Sequence, residues 1–185
     1  IRGACVMQGY HQNPEANAEC FPGDGWFDSG DLGFIRNDRL ILTGRAKEQI
    51  IVRGANFYAY EIEDSIAEIK GCVASFVAAT SVHSDASGTE AVLIFFVPDS
   101  AIIPEIVLSN LSKGVLVPKL KEVVARIHSH VASSFGVNPD FVVPVSTSQF
   151  HKTTSGKIQR GAFKKAFLKG DYSGICDTLQ QSLQQ

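Results

Sequence analysis

Lys157 follows an uncharged Thr-Thr-Ser-Gly run in the stretch HKTTSGKIQR at residues 151–160. A lysine on a glycine-bearing loop could serve a phosphate, as in a P-loop, where backbone N–H groups wrap a nucleotide and the lysine reaches its outer phosphates. The spacing excludes that motif. It needs a glycine five residues before Gly156, where His151 stands, and a Ser or Thr after the lysine for Mg²⁺, where Ile158 stands. Two other stretches gather polar residues: GWFDSGDLGFI at 25–35 and GRAKEQIIVRGANFYAYEIE at 44–63. Taken singly, each of the three has an ordinary explanation. Asp-Ser-Gly-Asp is a common turn composition, Gly-Arg-Ala-Lys reads as a linker, and Glu61 and Glu63 sit near a helix start, where the dipole favours carboxylates. A lone Ser-Gly-Lys is a solvated loop before a helix. Asp24, Asp28 and Asp31 fail the calcium-loop pattern for want of a terminal glutamate. His128 and His130 read as surface or rim residues of a helix, and His11 and His83 lie in polar turns.

The elements that must carry these stretches divide the chain in two. Residues 1–44 are rich in Gly, Asn, Asp and Pro and hold short strand-like runs, GACVM, LGFIR and LILTG, of which GFIRNDRLIL reads as a hairpin turning at Asn37-Asp38. After Gly44-Arg45 the pattern changes. EQIIVR is a strand, YEIEDSIAEIK places Ile62, Ile66 and Ile69 on one helical face, and Gly71 is expected to stop that helix. The strands SFVAATSV and AVLIFFV follow, joined by the turn-forming HSDASG. Over 118–135 Leu120, Val123, Val124, Ile127 and Val131 recur at helical steps, FVVPVS is a last strand, and GAFKKAFL a short closing helix. The predicted class is α+β, a small mixed β-sheet with packed helices.

At 185 residues the chain is long enough for one ordinary domain, or a small domain with part of another. A hydrophobic content of 44% and a charged content of 19% describe a soluble globular protein. The net charge of -2 argues against nucleic acid as the main partner. Lys152, Lys157, Arg160, Lys164, Lys165 and Lys169 nonetheless fall in a stretch without an acidic residue and imply a local positive field. Cys5, Cys20, Cys72 and Cys176 form no C-x-x-C pair, so neither a zinc ribbon nor a redox motif is expected, and free thiols in a reducing cytoplasm are the simplest reading. The apolar run AVLIFFVP is far too short to span a bilayer. The opening IRGACVMQGY lacks the features of a signal peptide and a starting Met, so the chain is expected to begin partway through a larger protein.

In order and spacing together, GWFDSGDLGFI, GRAKEQIIVRGANFYAYEIE and TTSGKIQR make the chain resemble the adenylate-forming superfamily, which includes acyl-CoA synthetases, firefly luciferase, nonribosomal peptide adenylation domains and fatty acyl-AMP ligases. In that family a large N-terminal domain binds ATP and the acid, and a small C-terminal domain closes over it as a lid. The resemblance implies that residues 1–45 are the end of the large domain, 46–172 the small lid domain, and 173–185 a polar tail or linker. It implies that Asp31 accepts the ribose hydroxyls of ATP, that Arg45 also meets the ribose, and that Lys47 is the hinge. Gly54 would face the tunnel for a phosphopantetheine thiol, where glycine admits the arm closely. Lys157 would be the catalytic lysine, reaching the attacking carboxylate and the α-phosphate on a thin, mobile loop.

Two departures matter. His151 stands where the family usually has proline, which implies a looser approach to the loop, and Ile51 stands where luciferase-like members have a functional lysine. The wording IIVRG and GKIQR is closest to fatty acyl-AMP ligases and to loading modules of polyketide and peptide synthases. The resemblance therefore implies a fatty or other carboxylic acid as substrate, ATP with Mg²⁺ held mainly by the large domain, and transfer to a carrier protein, with CoA the alternative acceptor. The basic stretch would suit an acidic carrier surface, and a solvated basic face explains it equally. A noncatalytic carrier- or partner-binding module is the competing reading. The chain alone is expected to be inactive and to bind ATP no tighter than about millimolar, because few of the contacts are present.

Overall fold

Asn37 and Asp38 both take positive φ, 52° and 58°, the combination of a type I′ turn, which these short polar residues tolerate. They join β1 (Asp31–Arg36) to β2 (Arg39–Arg45) in an antiparallel hairpin. The computed structural model describes residues 1–84, 88–104, 106–111 and 116–183. It divides into two units, Ile1–Glu48 and Gln49–Gln185. Besides the hairpin, the first unit holds α1 (Pro14–Cys20), capped by Asn13 Oδ1, which accepts from the Ala16 N–H at 3.1 Å. GACVM forms no strand. It finds no edge to pair with among the described residues, and the Val6 N–H turns back to the Gly3 carbonyl instead. None of the described residues of this unit is buried, and Ile35, Leu40 and Leu42 are 76%, 66% and 63% exposed.

The second unit starts with a hairpin of β3 (Gln49–Val52) and β4 (Ala55–Tyr58), which leads directly into α2 (Ala59–Ala67). Then come β5 (Cys72–Ser84), β6 (Thr89–Pro98), α3 (Ile106–Leu111), α4 (Pro118–Phe135), β7 (Phe141–Pro144), α5 (Arg160–Leu168) and α6 (Ser173–Leu183). The sheet order is β5-β6-β7, antiparallel on one side of β6 and parallel on the other. This is the small mixed sheet with packed helices of an α+β fold. Residues 85–87 of the predicted HSDASG turn lie outside the described residues.

Because side chains alternate along a strand, central β6 serves two cores. Val92, Ile94 and Phe96 pack with Ile62 and Ile66 of α2 and with Leu120, Val123 and Ile127 of α4. Leu93, Phe95 and Val97 pack with Phe150, Phe163 of α5, Tyr172 and Cys176. Buried on both faces, β6 reads as a continuous apolar run.

Three expectations change. α2 ends at Ala67, before Gly71; Gly71 has φ 108°, and a Cβ there would lie 2.7 Å from Val123 Cγ2, so this glycine lets α4 approach and does not cap α2. ANFY at 55–58 is a strand, paired with β3 across a two-residue turn. Residues 173–183, expected as part of a polar tail, form α6. Cys176 and Leu179 are buried there, and the buried Thr178 hydroxyl donates to the Leu111 carbonyl at 3.0 Å.

Candidate functional site

Gly156 takes φ 83°, a left-handed conformation open to glycine without strain, and it closes the turn that presents Lys157. The Gly156 N–H donates to the Thr153 carbonyl at 2.9 Å. The Thr153 N–H reaches the Lys157 carbonyl at 2.9 Å, and the Lys157 N–H reaches Thr153 Oγ1 at 3.0 Å. Below the turn, Lys152 and Ile158 bridge, and the Gln159 N–H donates to the His151 carbonyl at 3.0 Å. The loop is thus a small hydrogen-bonded hairpin. Thr154, Ser155, Gly156 and Lys157 are exposed at its tip, and among the described residues the Lys157 ammonium has no hydrogen-bond or ion-pair partner.

Both ends of this hairpin are held. Lys152 Nζ donates to the Ser75 carbonyl and lies 3.8 Å from the Phe76 ring centroid. The His151 ring meets Phe163 edge-on at 4.8 Å. On the far side, Arg160 forks onto Glu63, Nε to Oε1 at 2.8 Å and Nη2 to Oε2 at 2.6 Å, and Oε1 also accepts from the Ala79 N–H at 2.8 Å. Neither Arg160 nor Glu63 stood out in the sequence as a pair, because 97 residues separate them. The signal was present in part: Glu63 falls one position after Ile62 on the α2 pattern, at the edge of the apolar face. Glu63 offsets the charge of Arg160, whereas Lys152 keeps its positive charge beside a neutral carbonyl and ring, and Lys157, Lys165 and Lys169 remain exposed.

Asp31 and Arg45 are brought together as opposite residues of the β1–β2 pair, Arg45 Nε donating to Asp31 Oδ1 at 2.9 Å and Nη2 to the Ser29 carbonyl at 3.3 Å. The guanidinium, with help from Ser29, holds the Asp31 carboxyl below its ordinary value. Arg45 also lines a cleft of ≈ 280 Å³ with Tyr10, Asp28, Ser29 and Lys47. Lys47 sits in a short 3₁₀ turn, Ala46–Glu48, where Nζ meets Glu19. That carboxylate raises the Lys47 ammonium above its ordinary value. Gly54, φ 81°, and Arg53, φ 49°, form the turn between β3 and β4, and a Cβ on Gly54 would meet open space. Ile51 is exposed on β3. His128 is half-buried, and burial lowers its imidazole below the ordinary value against the pull of Asp140. No group of three or more His, Cys, Asp or Glu among the described residues could hold a metal ion. No helix among them is long and apolar enough to cross a membrane.

No family model matches the chain. By sequence it is 32% identical over 186 residues to the nonribosomal peptide synthetase pngA of Aspergillus terreus (strain NIH 2624 / FGSC A1156), covering 99% of this chain and 18% of that protein. The chain therefore spans less than a fifth of that relative's length. Among solved structures, the McyG A-PCP complexed with phenylalanyl-adenylate superposes with a TM-score of 0.83 at 35% identity, over 98% of this chain and 26% of that one. A multidomain structure of a keto acid-selecting NRPS module, with adenylation, ketoreductase and pseudo Asub domains, gives 0.77 at 37% identity, over 94% and 13%. Fatty acyl-adenylate ligases from E. coli and L. pneumophila give 0.67 at 22% identity, over 93% and 27%, a likeness of fold alone.

Proposed function

We propose, for a chain that belongs to the adenylate-forming superfamily as its C-terminal portion, that it is the lid of an ATP-dependent acid-activating synthetase. Exposed Lys157, presented without a partner at the tip of a hydrogen-bonded loop, is the observation that carries this reading. In the first half-reaction a carboxylate oxygen attacks the α-phosphorus of ATP, and the bond to the leaving pyrophosphate breaks. Two anionic groups meet there, and the Lys157 ammonium lowers their repulsion and stabilises the charge of the transition state. In the second, a phosphopantetheine thiol of a carrier protein attacks the acyl carbonyl carbon, losing its proton as AMP departs.

The other positions fit the same sequence of events. Asp31, kept ionised by Arg45 and Ser29, offers a carboxylate of the kind that accepts ribose hydroxyls. Lys47 lies one residue before the end of the first unit, where a hinge would fall. The open side of Gly54 suits passage of a thiol arm. ATP phosphates, Mg²⁺ and the acid would be held by a large domain that precedes this chain.

The substrate is an amino or keto acid more readily than a fatty acid. Two structures above 30% identity are described with phenylalanyl-adenylate and as keto acid-selecting, whereas the fatty acyl-adenylate ligases match in fold alone. Incubating the full-length enzyme with ATP and a panel of amino, keto and fatty acids, with carrier protein or CoA, identifies acid and acceptor by mass spectrometry.

Two variants of that enzyme test the roles. Lys157→Ala is expected to reduce adenylate formation a hundredfold or more, on the order of 3 kcal/mol, while transfer from supplied acyl-AMP survives. Lys47→Pro, which fixes φ at the hinge, is expected to do the reverse. Equal loss of both half-reactions in Lys157→Ala removes the catalytic assignment.

A further inference from the structure

The Glu63–Arg160 pair is nearly closed to solvent, with side chains 7% and 15% exposed. Burying two charges costs several kcal/mol in desolvation, and an apolar pair of similar volume is often as stable or more so. Stability is therefore a poor reason for this pair to exist. Its geometry is specific, however: a bidentate fork fixes the plane and direction of the guanidinium as a single contact would not. The pair also runs against the local field, since Arg160 is the first residue of α5, where a helix dipole favours anions.

Its position explains what it fixes. Arg160 lies three residues after Lys157, at the foot of the hairpin that presents the lysine. Glu63 lies in α2, which continues directly from β4 and so from the turn that holds Gly54, and its Oε1 is further tied to β5 through Ala79. Lys152 secures the opposite foot to the same strand at Ser75. Among the described residues, the side chains of the tip between them make no hydrogen bond or ion pair beyond their own turn.

We infer that Glu63 is a positioning residue which, through Arg160, sets the direction in which the loop presents Lys157. The lysine loop is a fixed projection of the lid, not a flap with its own motion, and the same contact ties it to the element that carries Gly54. The inference rests on the adenylation role of Lys157 for its effect on rate, but its effect on the loop can be read separately.

The test is the double variant Glu63→Leu with Arg160→Met, in which an apolar pair replaces the ionic one. In the 185-residue chain the variant should fold with a lowered melting temperature, because the buried Ala79 N–H loses its Glu63 acceptor, whereas hydrogen exchange at the Thr153, Lys157 and Gln159 amides should accelerate at least tenfold more than at Leu93–Phe96. In the full-length enzyme, adenylation kcat should fall at least tenfold with KM for ATP unchanged, and transfer from supplied acyl-AMP should persist. A folded double variant with wild-type loop exchange overturns the inference, whatever its activity. So does faster loop exchange with unchanged adenylation kcat in an enzyme that Lys157→Ala inactivates. If Lys157→Ala itself leaves adenylation intact, the catalytic reading fails and not the loop contact. Should the double variant not fold, Arg160→Lys keeps the charge but loses the fork; it should shift loop exchange and kcat in the same directions, and no shift in either overturns the inference.

Discussion

Asp31 and Arg45 show at the scale of single residues how a strand register prepares a polar contact. Opposite positions of a hairpin place the two side chains together, and the guanidinium then favours the ionised carboxylate. The Asp31 carboxyl is expected to titrate below its ordinary 3.8, and Arg45→Gln should move its midpoint back upward, as read by carbon NMR of the carboxyl. A folded-state value lowered in this way contributes stability that is present above the unfolded value and lost as pH falls through the folded one, so the window lies in acid below 3.8. A midpoint that ignores Arg45→Gln removes the pairing. The thiols show the opposite sign: burial pushes Cys72 up to about 12 and Cys176 to about 11, which makes both poor nucleophiles near neutrality.

Between elements, the close approach of Gly71 to α4 carries a cost that can be measured. Gly71→Ala adds a Cβ 2.7 Å from Val123 Cγ2 at φ 108°, so it combines overpacking with backbone strain and should destabilise by about 1–3 kcal/mol. In a Val123→Ala background the added cost should shrink, and a thermal denaturation cycle of the four proteins reads the difference. Equal costs in both backgrounds would leave strain alone as the cause. Elements with strong periodicity were legible: the Asn37-Asp38 hairpin, α4 from its five recurring aliphatics, and β6 from its apolar run. β4 was not, because ANFY is short and shows no alternation. α6 was hidden for another reason. Ile175, Cys176 and Leu179 keep helical spacing, but Ser, Gly and Gln around them give the polar composition of a tail. The loop that carries Lys157 was legible from its glycine, but its closure as a hairpin through Thr153 was not, and the Glu63–Arg160 fork is a long-range pairing that local pattern does not encode.

For the whole molecule, the two units differ in what protects them. The second has two cores around β6, and the first has no buried residue among those described. Hydrogen exchange of the 185-residue chain should find the amides of β1 and β2 exchanging at least a hundredfold faster than those of Leu93–Phe96, on the order of 3 kcal/mol in opening free energy. Equal protection would mean that the hairpin is stabilised by contacts other than its own. The order of the sheet has a further consequence, for synthesis on the ribosome. β5 is made before β6 and can pair with it at once, but the parallel partner β7 begins only at Phe141. At roughly 5–20 residues per second, the most apolar strand of the chain waits several seconds with one edge unpaired, so the nascent chain passes through its most aggregation-prone state in the interval between Pro98 and Phe141.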